Sequence, residues 1–465
     1  MKGFVSEELT EFAQMIYQQG ISADLSSQII ELLIDKIGLI LGGSCFFSSQ
    51  AVYKATTQFA APGNARVAYY GDKLSPEQAA FINASFGHAQ DFDDTHLQAI
   101  THPGGVIIPA AFAIANQSGA TPQQIIRAVA VGLEIMIRIA CSIPACHAKG
   151  FHTPTVAGPF AAAITASLLL SLNHQQCLNA LSIAGSYAGG LWEYTQTGGT
   201  AKRMHCAIAA TAGIKAAYLA AQGITGPHSI LDGKFGVCHV FDNGSHTQQL
   251  NTELGEEYLL KTIAIKNYNC PFSIHAALEA LLEVCQLYKI EIGEIEKIEV
   301  GTSRFTLNHV GKIRHPKNAM EAQFSMVFTL ALALVKRPPQ MHDYSEENID
   351  DPEVRLLSSK IHLYEDALAT REQGENMGSI VKVIAKGKQH FERRIKYAKG
   401  TQQNRLSIAE IESKFKNCVS PVMDESKSNT LLEKIKNFPH LTNSEELTDL
   451  WNLQEETASV SRGKL

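Results

Sequence analysis

The run His88-Ala-Gln-Asp91-Phe-Asp93-Asp94-Thr95-His96, followed by Thr101-His102-Pro103-Gly104-Gly105, is the densest acid–base cluster in the chain. Read as a helix, it sets Asp91 and Thr95 four residues apart on one face, with Asp94 alongside and Asp93 turned away. Three carboxylates within four residues repel one another and hold protons more tightly unless cations or donors neutralise them. Chains carry that cost at helix caps, metal sites and acid–base sites. His102 stands before Pro103-Gly104-Gly105, which must break one helix and is placed to start the next. A histidine there reaches into a cleft while the N–H groups of the new helix face an anion. Two plainer readings compete: a polar connection with capping aspartates, and a divalent ion on Asp91, Asp93 and Asp94.

Three further groups lie downstream. Gly150-Phe151-His152-Thr153 precedes a small-residue helix, where a histidine is as readily a hydrogen-bonded structural residue. Trp192-Glu193-Tyr194 leads to Thr197-Gly198-Gly199-Thr200-Ala201-Lys202-Arg203-Met204-His205, a glycine- and threonine-rich corner whose cations suit a carboxylate or phosphate. It lacks the spacing of a Walker A loop. Lys266-Asn-Tyr-Asn-Cys270-Pro271 leads to His275 at the start of an apolar helix, where a cap or core histidine is an equal reading. Together the groups place Asp91, His102, His152, Lys202, Lys266 and His275 near inferred helix termini. Such a set suits proton removal beside a carboxylate, with histidine as the base and lysines holding the developing charge. No G-x-G-x-x-G follows a strand, and no G-x-S-x-G is present, so neither hydride transfer nor a serine hydrolase is supported.

The elements that must position these residues are mostly helical up to about residue 260. Leu9, Phe12, Ala13, Ile16 and Tyr17, then Ile29, Leu32, Leu33 and Ile37, recur at helical spacing. Thr121-Pro122 and Asn173 read as helix starts. Ala161–Leu170 and Ala207–Ala221 combine Ala, Leu and Gly, as close-packed central helices do. Strand patterns appear at Ile295–Val300 and Ile380–Ile384, with helical stretches Met320–Val335 and Asp350–His362 between them. Helical spacing resumes at Leu406, Ile408, Ile411 and Phe415. The expectation is a mainly α protein with an α+β insertion: a helical domain over 1–264, a smaller α+β domain over 265–400, and a helical segment over 401–465 that returns to the first. The cations Lys382, Lys386, Lys388, Arg393, Arg394, Lys396 and Lys399 read as a solvated strand face rather than a polyanion site.

Composition limits the classes. The 465 residues are 45% hydrophobic and 18% charged with a formal charge of -6, which gives no basic excess for nucleic acid or an anionic membrane. Nine cysteines include no C-x-x-C pair, so zinc-ribbon and iron–sulfur readings fail on spacing, and free thiols in the cytoplasm are expected. The beginning of the chain shows no secretory signal. Ala157–Leu172 is the most membrane-like stretch, but it is short and carries Thr165, Ser167 and Ser171, so a buried helix is expected.

Asp91-Phe-Asp-Asp-Thr95 with Thr101-His102-Pro103 resembles the signature of the MmgE/PrpD family. Gly150–Thr153, Thr200–His205, Gly223-Ile-Thr-Gly-Pro227 and Lys266–His275 match it in order, from near residue 5 to about 420. The family includes 2-methylcitrate dehydratases, cis-aconitate decarboxylases and an iminodisuccinate epimerase. The resemblance implies a helical domain, an α+β lid, usually a homodimer, and catalysis without metal or organic cofactor in a cleft between the domains. Carried over by position, Asp91, Thr95, His102, His152, Lys202 and Lys266 line that cleft, and His275 is a helical neighbour. Two departures stand out. A histidine of the decarboxylases falls on Pro271, and a tyrosine falls on Phe328, so two proton-transfer groups are lost.

The expectation is a lyase or isomerase acting without a cofactor on a small di- or tricarboxylate. His102 moves the proton, Asp91 orients it, Lys202 and Lys266 bind carboxylates, and Thr95, His152 and His275 complete the hydrogen bonding. Dehydration is placed ahead of epimerisation and decarboxylation because of the two departures. A catalytically silent carboxylate-binding protein and a metal-dependent enzyme are the alternatives of other classes.

Overall fold

The computed structural model describes residues 3–194, 199–336, 338–340, 342–373, 376–387 and 389–453. Two buried helices, Thr153–Leu169 and His205–Ala221, form the centre of the larger part. Small residues permit their approach: a Cβ on Gly213 would lie 2.4 Å from that of Ala162, and one on Gly158 would lie 2.8 Å from that of Ala209. Helices Pro76–Gly87, Pro103–Ser118 and Pro122–Cys141 surround this pair. Thr121 and Asn173 each close a capping box, as their positions predict.

Every residue of Thr153–Leu169 is buried, and Thr165 returns its hydroxyl to the Ala161 carbonyl at 2.9 Å. Among the described residues, Thr200–Ala221 is the one segment long and apolar enough to cross a membrane, and 61% of its apolar window is buried inside the protein.

The chain beyond residue 400 rejoins this core. Leu406, Ile411, Phe415, Leu431 and Trp451 belong to the same buried cluster as Leu9 and Leu33. Helix Ile408–Val419 lies along Ala23–Gly43, where Gly38 and Gly42 leave room for Phe415 and the Cys418 carbonyl. Strands β1 (Pro62–Arg66) and β2 (Lys73–Leu74) form a small antiparallel pair at the edge of the helices.

The smaller part has its own core, which includes Leu278, Leu281, Val300, Leu330, Val381 and Val383. Its sheet contains β3 (Ile295–Thr302), β4 (Ile361–Glu365), β5 (Ser379–Ala385) and β6 (His390–Ile395), in the order β4-β3-β5-β6. Strand β4 is parallel to β3, and the other pairs are antiparallel. Val381 and Val383 point inward while Lys382 faces the other way, as their alternation predicts.

Two helical expectations are corrected. The stretch 350–362 is a helix only to Ser359; Ile361 then enters β4, where it is buried and hydrogen-bonded neighbours replace the helical turn. Met320–Val335 is broken at Phe324-Ser325, because the Ser325 hydroxyl bonds the Ile313 carbonyl at 2.6 Å and accepts the Phe328 N–H at 3.2 Å. The basic run is a charged, paired surface: Arg393 meets Glu283, Arg394 meets Asp366, Lys396 meets Glu372 and Lys399 meets Glu410. Lys388 lies outside the described residues.

Candidate active site

Between helices Pro76–Gly87 and Pro103–Ser118 the chain from His88 to His102 is an irregular buried loop. The helical reading of Asp91 and Thr95 is therefore corrected. Asp91 has φ 55°, in the left-handed region, and ends any helical path. Thr95 instead exchanges backbone hydrogen bonds with Ala264, at 2.8 and 2.7 Å. Its hydroxyl donates to the Thr101 carbonyl at 3.2 Å, which ties the two ends of the loop together.

The acidic cluster is neutralised from below by Lys36. This lysine is fully buried, and its ammonium lies 3.2 Å from both Asp93 Oδ2 and Asp94 Oδ1. Burial opposes its charge, but Asp93, Asp94 and Asp35 outweigh that and raise its proton affinity. Asp93 Oδ2 also accepts from His88 Nδ1 at 2.8 Å. Asp94 Oδ2 accepts the Gly104 N–H at 2.7 Å, so the anion expected at the start of helix Pro103–Ser118 is the chain's own carboxylate. Lys36 was missed in the sequence, where its only signal is a charge inside the apolar run Leu32–Leu41.

His102 occupies the cap position of that helix. Its Nδ1 lies 2.9 Å from the Asp94 carbonyl, which can only accept, so Nδ1 carries the hydrogen and Nε2 is a free base in the neutral ring. Burial drives the His102 pKa down to about 3, with His88, Lys266 and Lys202 adding to the fall against Asp93. The ring is thus uncharged, with the Nε2 lone pair free of a proton. Asp91 lies on the Nε2 side, its Oδ1 3.9 Å away, beyond a hydrogen bond. The orienting group is accordingly the Asp94 carbonyl rather than Asp91.

Asp91 instead gathers the lysines. Its Oδ1 accepts from Lys202 Nζ at 2.5 Å and lies 3.2 Å from Lys266 Nζ, which also donates to the Asp91 carbonyl. Burial raises the Asp91 proton affinity, but Lys202 and Lys266 outweigh it and hold the carboxyl well below its usual range. Burial lowers the Lys202 pKa, with Lys266 contributing and Asp91 opposing. One carboxylate between two ammonium groups leaves a positive charge for a ligand.

These residues line a cleft that also includes Thr95, His152 and Pro271. His152 Nδ1 faces His205 Nδ1 at 2.8 Å, so one ring donates and the other accepts. His147 and His309 line the cleft as well, and Trp192 and Phe324 supply apolar wall. No pattern in the sequence separates His147 or His309 from ordinary polar residues. Thr197 and Gly198 lie outside the described residues.

Six of the seven residues singled out in the sequence converge here, and His275 does not. It is fully buried behind the wall, stacked on Phe272 at 4.5 Å, with Nε2 3.1 Å from the Tyr268 carbonyl. Phe272, three residues earlier on the same helix face, lines the cleft and stacks on the His275 ring. Phe328 is likewise 2% exposed in the core of the smaller part and does not line the cleft, so the phenol lost there is not a loss from the described wall. A divalent ion on the aspartates fits poorly, because ammonium groups already lie on Asp91 Oδ1, Asp93 Oδ2 and Asp94 Oδ1.

The fold and this cleft define a mainly helical body with an α+β region beside a buried cationic site. Residues 7–250 match the model of the MmgE/PrpD N-terminal domain and residues 268–438 that of the C-terminal domain. The chain belongs to the MmgE/PrpD family. It is 27% identical over 485 aligned positions to a cis-aconitate decarboxylase of Aspergillus terreus, covering 97% of this chain and 96% of the relative. It is 28% identical to the cis-aconitate decarboxylase of Homo sapiens, covering 81% and 80%. A 2-methylcitrate dehydratase of Salmonella typhi is 26% identical, covering 67% of each chain. These relatives are lyases, and the chain is an enzyme of lyase type.

Proposed function

We propose that this chain removes a proton beside a carboxylate of a small hydroxy di- or tricarboxylate and expels water, with 2-methylcitrate as the model substrate. The observation that carries the reading is the state of His102: one nitrogen tied to a carbonyl, the other unprotonated on the side of Asp91, whose carboxylate holds two buried lysines in the same cleft. Elimination needs a neutral base at the carbon acid and cations where charge develops on the carboxylate. His102 Nε2 supplies the first. Lys202 and Lys266 supply the second, with Asp91 fixing their positions and limiting the surplus charge. Thr95 and His152 add hydrogen-bonding capacity to the wall. The chain's own residues suffice for this chemistry, so turnover in the presence of a chelator is expected.

Decarboxylation is the second reading. It is favoured by the coverage of the cis-aconitate decarboxylases, 97% against 67% for the dehydratase of Salmonella typhi, and by Phe328 lying away from the cleft. Pro271, which lines the cleft in place of the decarboxylase histidine, argues the other way. Incubating the protein with 2-methylcitrate and with cis-aconitate, followed by mass spectrometry, separates the two. Loss of water from the first supports elimination. Release of carbon dioxide from the second, with no change in the first, would replace it.

A further inference from the structure

An elimination needs two proton transfers, and His102 performs only one. The departing hydroxyl must also gain a proton, from a group on the far side of the substrate or beside it. The other histidines near the cleft are held within the larger part, each by at least one ring nitrogen. His96 accepts the Ala99 N–H at 3.1 Å through Nδ1 and meets the Thr262 hydroxyl at 2.6 Å through Nε2. His147 is engaged by Thr153 at 2.8 Å and by the edge of Trp192. His152 and His205 hold each other, and the His152 ring lies 6.3 Å from that of His102, on the same helical wall.

His309 differs in place and in surroundings. It lies on helix Arg304–Val310 and reaches the cleft from the smaller part, whereas His102 belongs to the larger part. Its Nδ1 meets the Ser273 hydroxyl at 3.2 Å, which fixes the ring and leaves Nε2 for a ligand. Trp192, Phe305 and Phe324 surround the ring, with centroids 5.9, 5.7 and 5.6 Å away. The same histidine also lines an outer groove with Asn308 and Lys312, so it stands between the reaction space and solvent. Resting on the elimination reading above, we propose that His309 is the proton donor to the leaving hydroxyl.

The step balances. His102 Nε2 takes the proton from carbon, and that C–H electron pair becomes the new C=C bond. The C–O bond breaks with its pair on oxygen, the Nε2–H of protonated His309 is transferred to that oxygen, and water leaves. His102 ends protonated and His309 neutral; exchange with solvent through the outer groove resets both, with no net proton consumed. Burial holds the His309 pKa down to about 4, with Asp91 opposing and Lys202 and Lys266 adding to the fall. A bound polyanion neutralises those lysines and brings negative charge beside the ring, which favours the protonated form.

The test compares the wild-type enzyme with His309→Gln on the hydroxy substrate and on an analogue carrying fluorine at the leaving position, since fluoride departs without full protonation. His309→Gln is expected to lower kcat for the hydroxy acid by about 10²- to 10⁴-fold. KM should change little, fluoride release should stay close to the wild-type rate, and exchange of the substrate's carbon-bound hydrogen with D₂O should persist. Wild-type kcat on the hydroxy acid, or equal losses on both substrates, would overturn the assignment. A wild-type enzyme that eliminates neither water nor fluoride would instead overturn the elimination reading itself.

Discussion

The pairing of His102 with the Asp94 carbonyl sets the protonation state of the base, and it makes a pH prediction at the scale of one residue. With its pKa lowered to about 3, His102 stays unprotonated well below the range of an ordinary histidine. The kcat/KM profile is therefore expected to show no acid limb near pH 6.5 from this base, and to fall on the alkaline side as the donor His309 and then Lys202, whose pKa burial lowers, lose their protons. An acid limb centred on the normal histidine value would contradict this. Lys202→Met leaves Asp91 with a single ammonium partner and removes one carboxylate ligand. Loss of a buried charge partner costs about 2–5 kcal/mol, so kcat/KM should drop by a matching factor in steady-state assays. Residue types and spacing were enough to find Asp91, Thr95, His102, His152, Lys202 and Lys266. They could not find Lys36 or His309, because what makes those residues distinctive is the partners that folding brings from far along the chain.

Helix Ala23–Gly43 is the element on which the acidic loop rests, since it carries Lys36 under Asp93 and Asp94. Its glycines set how closely its neighbours lie. A Cβ on Gly42 would fall 2.1 Å from the Cys418 carbonyl oxygen, and that atom belongs to backbone and cannot swing aside. Gly42→Ala should therefore lose about 1–3 kcal/mol and lower Tm, and it should reduce kcat as Lys36 shifts beneath the loop. Gly293→Ala meets nothing within 4 Å and serves as the control with an unchanged Tm. Capping signals made the helix starts at Thr121 and Asn173 readable in sequence, because those bonds are local. Strand β4 was not readable: Ile361 follows a helical turn directly, and its extended conformation is imposed by pairing with Ile298.

Among the described residues, eight histidines are held neutral, each lowered chiefly by loss of solvent: His96, His205 and His309 to about 4, His102, His147 and His275 to about 3, and His88 and His152 also below the usual value. Below pH 6.5 the unfolded chain binds protons that the folded chain refuses, so stability rises with pH between about 4 and 6.5 and is lost on acidification. Each such group contributes up to about 1.4 kcal/mol per pH unit in that window. Glu279, raised to about 7 by burial, works in the opposite direction, as do Asp35, Asp94 and Glu134, which burial also raises. Calorimetry from pH 7 to pH 4.5 should show a steep fall in Tm; a flat curve would mean that the histidines are not buried as described.

The division into a helical body and an α+β part was legible from the change in periodicity near residue 290. The contacts that hold the two parts around the cleft were not. They run through Arg203 and Gln323 at 2.9 Å, and from Gln323 to the Gln90 carbonyl at 2.9 Å, and neither spacing has any sequence signature.

The central claim, that His102 Nε2 takes a proton from a carbon beside a lysine-bound carboxylate, is tested most directly by NMR in D₂O. Wild-type protein with 2-methylcitrate and chelator should place deuterium at that carbon or release the dehydrated product, and His102→Gln should do neither. Equal exchange and turnover in His102→Gln would contradict the account.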